Sequence, residues 1–135
     1  MTEWYTQDWG WAKICDRTDE LMKFIDPDYT IRQIKEKFGK LRYYYDSKFP
    51  YDSTEGQILA IIASNAEEMS RYTCEDCGID RTYKKVGDEW LPTRIETKAT
   101  RYWIKTYCAD CRTKDEERYA NHTQEHDLMG VDDVG

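Results

Sequence analysis

Four of the five cysteines fall into two pairs of identical spacing, Cys74-Glu75-Asp76-Cys77 and Cys108-Ala109-Asp110-Cys111. Two such pairs supply four thiolates that can close tetrahedrally around Zn²⁺ at about 2.3 Å each. Gly78, directly after the first pair, permits the tight turn in which backbone N–H groups face the sulfurs. The second pair falls where a helix is expected to begin, and the positive end of that helix favours thiolates. Disulfides would need an oxidising compartment, and a redox C-x-x-C usually stands alone beside a βαβ pattern that this chain lacks. The 30 residues between the pairs exceed the ~15–20 of a compact four-cysteine site, which predicts an extended hairpin. Knuckle, hairpin and ligands in a first helical turn is the layout of a treble-clef finger. With four protein ligands the ion has no open position for water, so one structural zinc is expected. Cys15 lies on an apolar helical stripe and reads as a buried small hydrophobe.

Other chemistry is thinner. The histidines, His122 and His126, are spaced for a shared metal on a helix, but they sit in an acidic stretch and read as solvent-exposed. No histidine precedes Asn121, so the nuclease chemistry that some treble clefs scaffold lacks its base. No Ser/His/Asp set or Gly-rich phosphate loop is present. The chain is not expected to be an enzyme.

A basic band, Arg32 to Lys48, includes Lys35, Lys37, Lys40 and Arg42 beside Tyr43, Tyr44 and Tyr45. Cations beside aromatic planes suit a single-stranded nucleic acid. The plainer reading, preferred on helical periodicity, makes the cations the solvated face of a helix that buries Ile31, Ile34 and Phe38. Lys84, Lys85, Arg94, Lys98, Arg101 and Lys105 offer a second strip, diluted by Asp88, Glu89 and Glu96.

These residues need elements to position them. A 3.6 period through Trp11, Ile14, Cys15, Thr18, Leu21, Met22 and Ile25 predicts a helix over 11–25, ended by Pro27. A second helix is expected over 30–38, capped by Asp28 or Thr30 and stopped by Gly39. Residues 41–45 read as a short aromatic strand. Thr54 and Gln57 resemble a capping box opening a helix over 54–72, with Ile58, Ile61, Ile62, Met69 and Tyr72 inward. Gly87-Asp88 reads as a hairpin tip and a last helix is expected over about 110–121. Residues 122–135 read as a loose acidic tail.

The chain has 135 residues and a net charge of −7, a size that suits one domain. Leu, Ile, Val and Phe total 21 residues against 5 Trp and 11 Tyr, a thin aliphatic core that gains from a metal staple. Charge is uneven: residues 1–30 are net −4, 31–50 net +4, 51–73 net −3, 74–113 net +1 and 114–135 net −5. No stretch approaches the ~20 apolar residues of a membrane span. The first residues lack a secretory layout, so a cytoplasmic location is expected.

The string Ile34-Lys35-Glu36-Lys37-Phe38-Gly39-Lys40-Leu41-Arg42-Tyr43-Tyr44 resembles the I-K-E-K-F-G-x-L-R-F-Y segment of a family of small, uncharacterised zinc-finger proteins from bacteriophages and prophages. Cys74-Glu75-Asp76-Cys77-Gly78 resembles that family's C-E-x-C-G, and Trp103-Ile104-Lys105-Thr106-Tyr107-Cys108 its W-x-x-T-x-C, with Cys111 as last ligand. The match covers about half the chain, in order. It implies zinc at these cysteines and a phage or prophage origin, and carries no activity with it.

The expectation is one α+β domain. A helical part, 1–73, with the strand 41–45 joins a four-cysteine treble-clef module at 74–121, linked by burial of Ile34, Phe38, Leu41 and Trp103. The expected role is a non-catalytic, phage-encoded interaction protein that binds and inhibits a host or phage protein, in the host cytoplasm. The alternative is nucleic-acid binding through the 32–48 band and the zinc hairpin, with contacts at Lys35, Lys37, Lys40, Arg42 and Tyr44. Neither a membrane nor a small-molecule substrate is indicated.

Overall fold

The first helix, α1 (Ala12–Ile25), buries most of the stripe that its periodicity requires: Ile14, Cys15, Thr18 and Met22 face inward behind a fully enclosed Trp11, while Leu21 is exposed. A computed structural model describes residues 3–93, 95, 98–99 and 104–128 of the chain. Among them α1 is followed not by a helix but by a strand.

Residues Thr30–Lys37 form β1, paired antiparallel with β2 (Lys40–Asp46). The helical expectation over 30–38 is corrected, and the reason is a turn. Phe38 and Gly39 both have positive φ, 54° and 76°, the two-residue geometry whose twist matches paired strands. Gly39 is the second residue of that turn and not a helix stop, and neither Asp28 nor Thr30 caps a helix. Three apolar residues at helical spacing are outweighed by the aromatic partner strand next door. Phe38, expected inward, is 63% exposed.

The register sorts the ribbon into two faces. Inward go the pairs Glu36↔Leu41, Ile34↔Tyr43 and Ile31↔Tyr45; outward go Lys37↔Lys40, Lys35↔Arg42 and Gln33↔Tyr44. A bulge between Ile31 and Gln33 leaves Arg32 as the extra residue.

The next helix, α2 (Thr54–Ser70), starts where expected but is capped one residue earlier than the Thr54 capping box, with Ser53 Oγ accepting from the Gly56 N–H at 3.0 Å. It buries Gly56, Leu59, Ala66 and Ser70, while Ile61 and Met69, expected inward, are more than half exposed. Small side chains let this helix approach closely: a Cβ on Gly56 would stand 2.0 Å from the Pro50 carbonyl. Ser70 closes the outer edge of β2 by accepting from the Leu41 N–H at 2.9 Å.

Beyond it lie the cysteine knuckle, then β3 (Thr82–Val86) and β4 (Glu89–Thr93), turning at Gly87-Asp88 as expected. A short pair, β5 (Lys98–Ala99) and β6 (Ile104–Lys105), precedes α3 (Ala109–Leu128). Thus α3 runs past Asn121 and takes in part of the expected loose tail. Residues 114–128 contain no Gly or Pro, and Lys114, Glu116, Glu117, Arg118, Ala120, Gln124, Glu125 and Leu128 are good helix formers. The remainder of that tail, 129–135, lies outside the described residues, as do Arg94, Glu96, Arg101, Trp103 and the side chains of Lys98, His122 and His126. The architecture is a small α+β fold of three helices and small antiparallel sheets among the described residues. No described helix is long and apolar enough to cross a membrane.

Candidate metal centre

Two segments far apart in sequence deliver the four thiols. Cys74 and Cys77 come from the knuckle after α2, where the Gly78 N–H donates to the Cys74 carbonyl at 2.9 Å and the Cys74 N–H to the Ile79 carbonyl at 2.8 Å. Gly78 holds φ +82°, a left-handed turn that a side chain disfavours. Cys108 immediately precedes α3 and Cys111 sits in its first turn, as the sequence predicts.

The four sulfurs all lie within 4.8 Å of one another, and all are free thiols. Cys77 and Cys108 Sγ are 3.7 Å apart, close to the ~3.8 Å edge of a tetrahedron with ~2.3 Å zinc–sulfur bonds. Cys74, Cys108 and Cys111 are buried with Ile95 beside Tyr107. Donor type, number and spacing therefore suit one Zn²⁺. Among the described residues, these form the one group of three or more His, Cys, Asp or Glu side chains near enough to share an ion.

Burial acts to raise the Cys74 thiol, yet N–H groups of Cys77, Cys108 and Asp76 aimed at its sulfur bring it below its ordinary value. Burial and the neighbouring thiols push Cys111 upward. A bound dication would reverse that direction, because a coordinating thiol is deprotonated outright. Cys15 takes no part: it is fully enclosed in the main core, and burial raises its thiol to about 12.

The knuckle is braced on two sides. Trp11 Nε1 donates to the Thr73 carbonyl at 2.7 Å, and the Gly10 N–H to the Glu75 carbonyl at 2.9 Å. A Cβ on Gly10 would lie 2.1 Å from the Cys74 carbonyl oxygen, so the N-terminal loop rests directly on the cysteines. On the other side stands the ribbon turn. Thr106 Oγ1 donates to the Gly39 carbonyl at 2.5 Å, and Lys105 Nζ bonds Glu36 Oε1 at 2.7 Å. Lys105 also lies 3.9 Å from Glu75. Burial, helped by Glu36, pushes the Glu75 carboxyl up to about 7 against the pull of Lys105.

Glu36, Gly39, Glu75, Lys105 and Thr106 thus link the ribbon turn to the cysteine module, as Gly10 links the N-terminal loop to it. Ile34 and Leu41 are buried as expected, but Phe38 is not. Sequence reasoning missed the link because its members carry no chemistry individually, although all five lie inside the three motif strings.

The candidate contact residues gather on one surface. Lys35, Lys37 and Tyr44 are exposed and Lys40 and Arg42 half-buried, all on the outward ribbon face. Between the bulge and the turn that face carries no carboxylate. Glu67 of α2 reaches Arg42 from the edge at 2.7 Å. No protein-family model, curated protein or solved structure matches the chain.

Proposed function

We propose that this chain is a non-catalytic, zinc-stabilised nucleic-acid-binding protein whose metal is structural and whose ligand lies on the outward face of the β1–β2 ribbon. The observation that carries this reading is a pair of successive like-charge rungs, Lys37↔Lys40 and Lys35↔Arg42. Like charges directly opposite one another destabilise a sheet, and local rules are broken where a function needs it. A polyanion would relieve the Lys37↔Lys40 rung, and would add to the Glu67 carboxylate that already meets Arg42 on the other. Period-two alternation also removes the helix whose solvated face explained these cations more plainly.

The metal supports this surface from behind. Thr106, two residues before a cysteine ligand, holds the ribbon turn. The knuckle, the β3–β4 hairpin and cysteines at the start of α3 support assignment as a treble-clef module with one Zn²⁺. Four thiol ligands leave no coordination position for substrate, which supports a non-catalytic role.

A second reading has its own observation. Along β3–β4, Tyr83, Val86, Trp90 and Leu91 are all exposed, and Tyr83 and Trp90 share a face with Pro92 and Lys85. That hairpin supports the expected role as a phage-encoded modulator that binds and inhibits a host or phage protein.

Fluorescence anisotropy with a labelled oligonucleotide separates the two. Four phosphate contacts predict a log–log salt slope of about −3 for a single strand, and the Lys35→Glu/Lys40→Glu variant should lose binding. Salt-insensitive binding, or none at low salt, overturns the nucleic-acid reading. Capture from host lysate of one stoichiometric protein that survives nuclease treatment, and is lost in Trp90→Ala, would establish the second.

A further inference from the structure

At the bulged end of the ribbon, away from its turn, the cationic face runs into an open groove of about 390 Å³ lined by Trp4, Arg32, Gln33, Lys35 and Tyr44. This composition exceeds what phosphates require. Backbone phosphates accept from cations and from amide donors alike, but make no use of the flat faces of aromatic rings. Here two aromatic rings, two cations and a primary amide converge.

The convergence has a local cause. In a regular strand, Arg32 and Gln33 would point to opposite faces. The bulge between Ile31 and Gln33 makes Arg32 the extra residue, and both side chains line the groove. Bulges commonly re-aim a side chain in this way. Gln33 stands directly opposite Tyr44, so an acceptor and two donors sit beside an aromatic ring that is 40% exposed. From Gln33 to Lys37 the ribbon then extends about 13 Å, with cations on the outward side of both strands.

We infer that this groove holds one unstacked nucleobase of a single strand, with the adjoining phosphates running along Lys35, Arg42, Lys37 and Lys40. The inference rests on the nucleic-acid reading and adds the form of the ligand. A duplex hides the faces of its bases, whereas a single strand offers them for stacking on aromatic side chains. Gln33 supplies hydrogen bonds to a base edge and Lys35 neutralises a flanking phosphate, with Arg32 joining it by exchange of its exposed Asp46 partner at 3.6 Å. Stacking of this kind tolerates any base, so the groove selects strandedness before sequence.

The test compares three labelled ligands on the zinc-loaded full chain: a thymidine 12-mer, the same backbone with abasic sites, and a duplex of equal length. The thymidine strand should bind about five- to a hundredfold tighter than the abasic strand, and tighter than the duplex. Tyr44→Ala should bring the thymidine strand down to the abasic level, and Tyr44→Phe should restore the difference. Equal binding of thymidine and abasic strands, or preference for duplex, overturns the groove assignment while the nucleic-acid reading stands. Absence of binding to all three overturns both. Inorganic polyphosphate that competes as well as the thymidine strand would show attraction by charge alone, and would also overturn the inference.

Discussion

The hydroxyl of Thr106 donates to the backbone carbonyl of Gly39 at 2.5 Å, across 67 residues of sequence. The threonine is completely enclosed, so no water replaces it. Thr106→Val keeps the shape and leaves that carbonyl unsatisfied, which should cost about 1–3 kcal/mol. Thr106→Ser should retain most of the stability. Chemical denaturation of the two variants checks this, and equal midpoints for valine and wild type would refute the role of the bond.

Metal removal should act on the same joint. Elemental analysis is expected to find one zinc per chain, and Cys77→Ser or Cys108→Ser to unfold at least residues 74–121. Apparent binding energies of structural zinc, about 10–16 kcal/mol in small domains, are as large as the ~5–15 kcal/mol by which whole domains are stable. Because the ribbon turn leans on Lys105 and Thr106, chelation should also weaken oligonucleotide binding. A chelated protein with unchanged near-ultraviolet circular dichroism would remove the structural-metal assignment.

Phe38 occupies the left-handed region at φ +54° with its ring 63% exposed. That conformation is costly for a residue with a Cβ, and Asn or Gly is favoured at this position of the turn. Phe38→Asn should therefore stabilise the chain by about 0.5–1 kcal/mol, less a small loss from the Lys37 ammonium 5.8 Å from the ring centroid. A lowered melting temperature would show instead that the exposed ring is needed for the fold.

The parts legible in the sequence were those decided locally. Periodicity gives α1, spacing gives the four clustered cysteines, and Gly87-Asp88 gives the second hairpin. The ribbon was misread because Ile31, Ile34 and Phe38 satisfy helical spacing equally well, and Phe-Gly is not a usual hairpin-turn pair. Only the pairing with Leu41, Tyr43 and Tyr45 decides between the two periods. The burial of α2 was misread for a related reason: hydrophobicity points to Ile61 and Met69, but close approach selects Gly56 and Ala66. The link of Glu36, Lys105 and Glu75 depends on tertiary placement that no local pattern encodes.

Asp26 ends α1 and is fully enclosed. Its carboxylate accepts from Ser47 Oγ at 2.5 Å and from the Asp28 N–H at 3.0 Å. The Ser47 bond, opposed by desolvation and aided by the backbone N–H groups of Asp28 and Lys48, holds its pKa below the ordinary value. A depressed folded pKa stabilises the native state above the unfolded value of about 3.9, and that contribution fades as pH falls through the folded value. Asp26→Asn should therefore lower stability at pH 7 and flatten its decline below about pH 4. Parallel wild-type and variant curves through the acid range would contradict the assignment.

The like-charge rungs make stability and binding move in opposite directions. Lys37 stands directly opposite Lys40 on the outward face, a pairing that costs the free protein a few tenths to about 1 kcal/mol. Lys37→Glu turns repulsion into a cross-strand ion pair, so thermal unfolding of the variant should shift upward. Its phosphate contact is lost at the same time, and the salt slope for a single strand should shrink by about 0.7. Lys37→Gln separates the effects, because it removes the repulsion and the contact without adding an attraction. It should melt between wild type and Lys37→Glu, with the reduced salt slope of both variants. A bland solvated lysine would change neither quantity, and a rung retained for stability would lower the melting temperature.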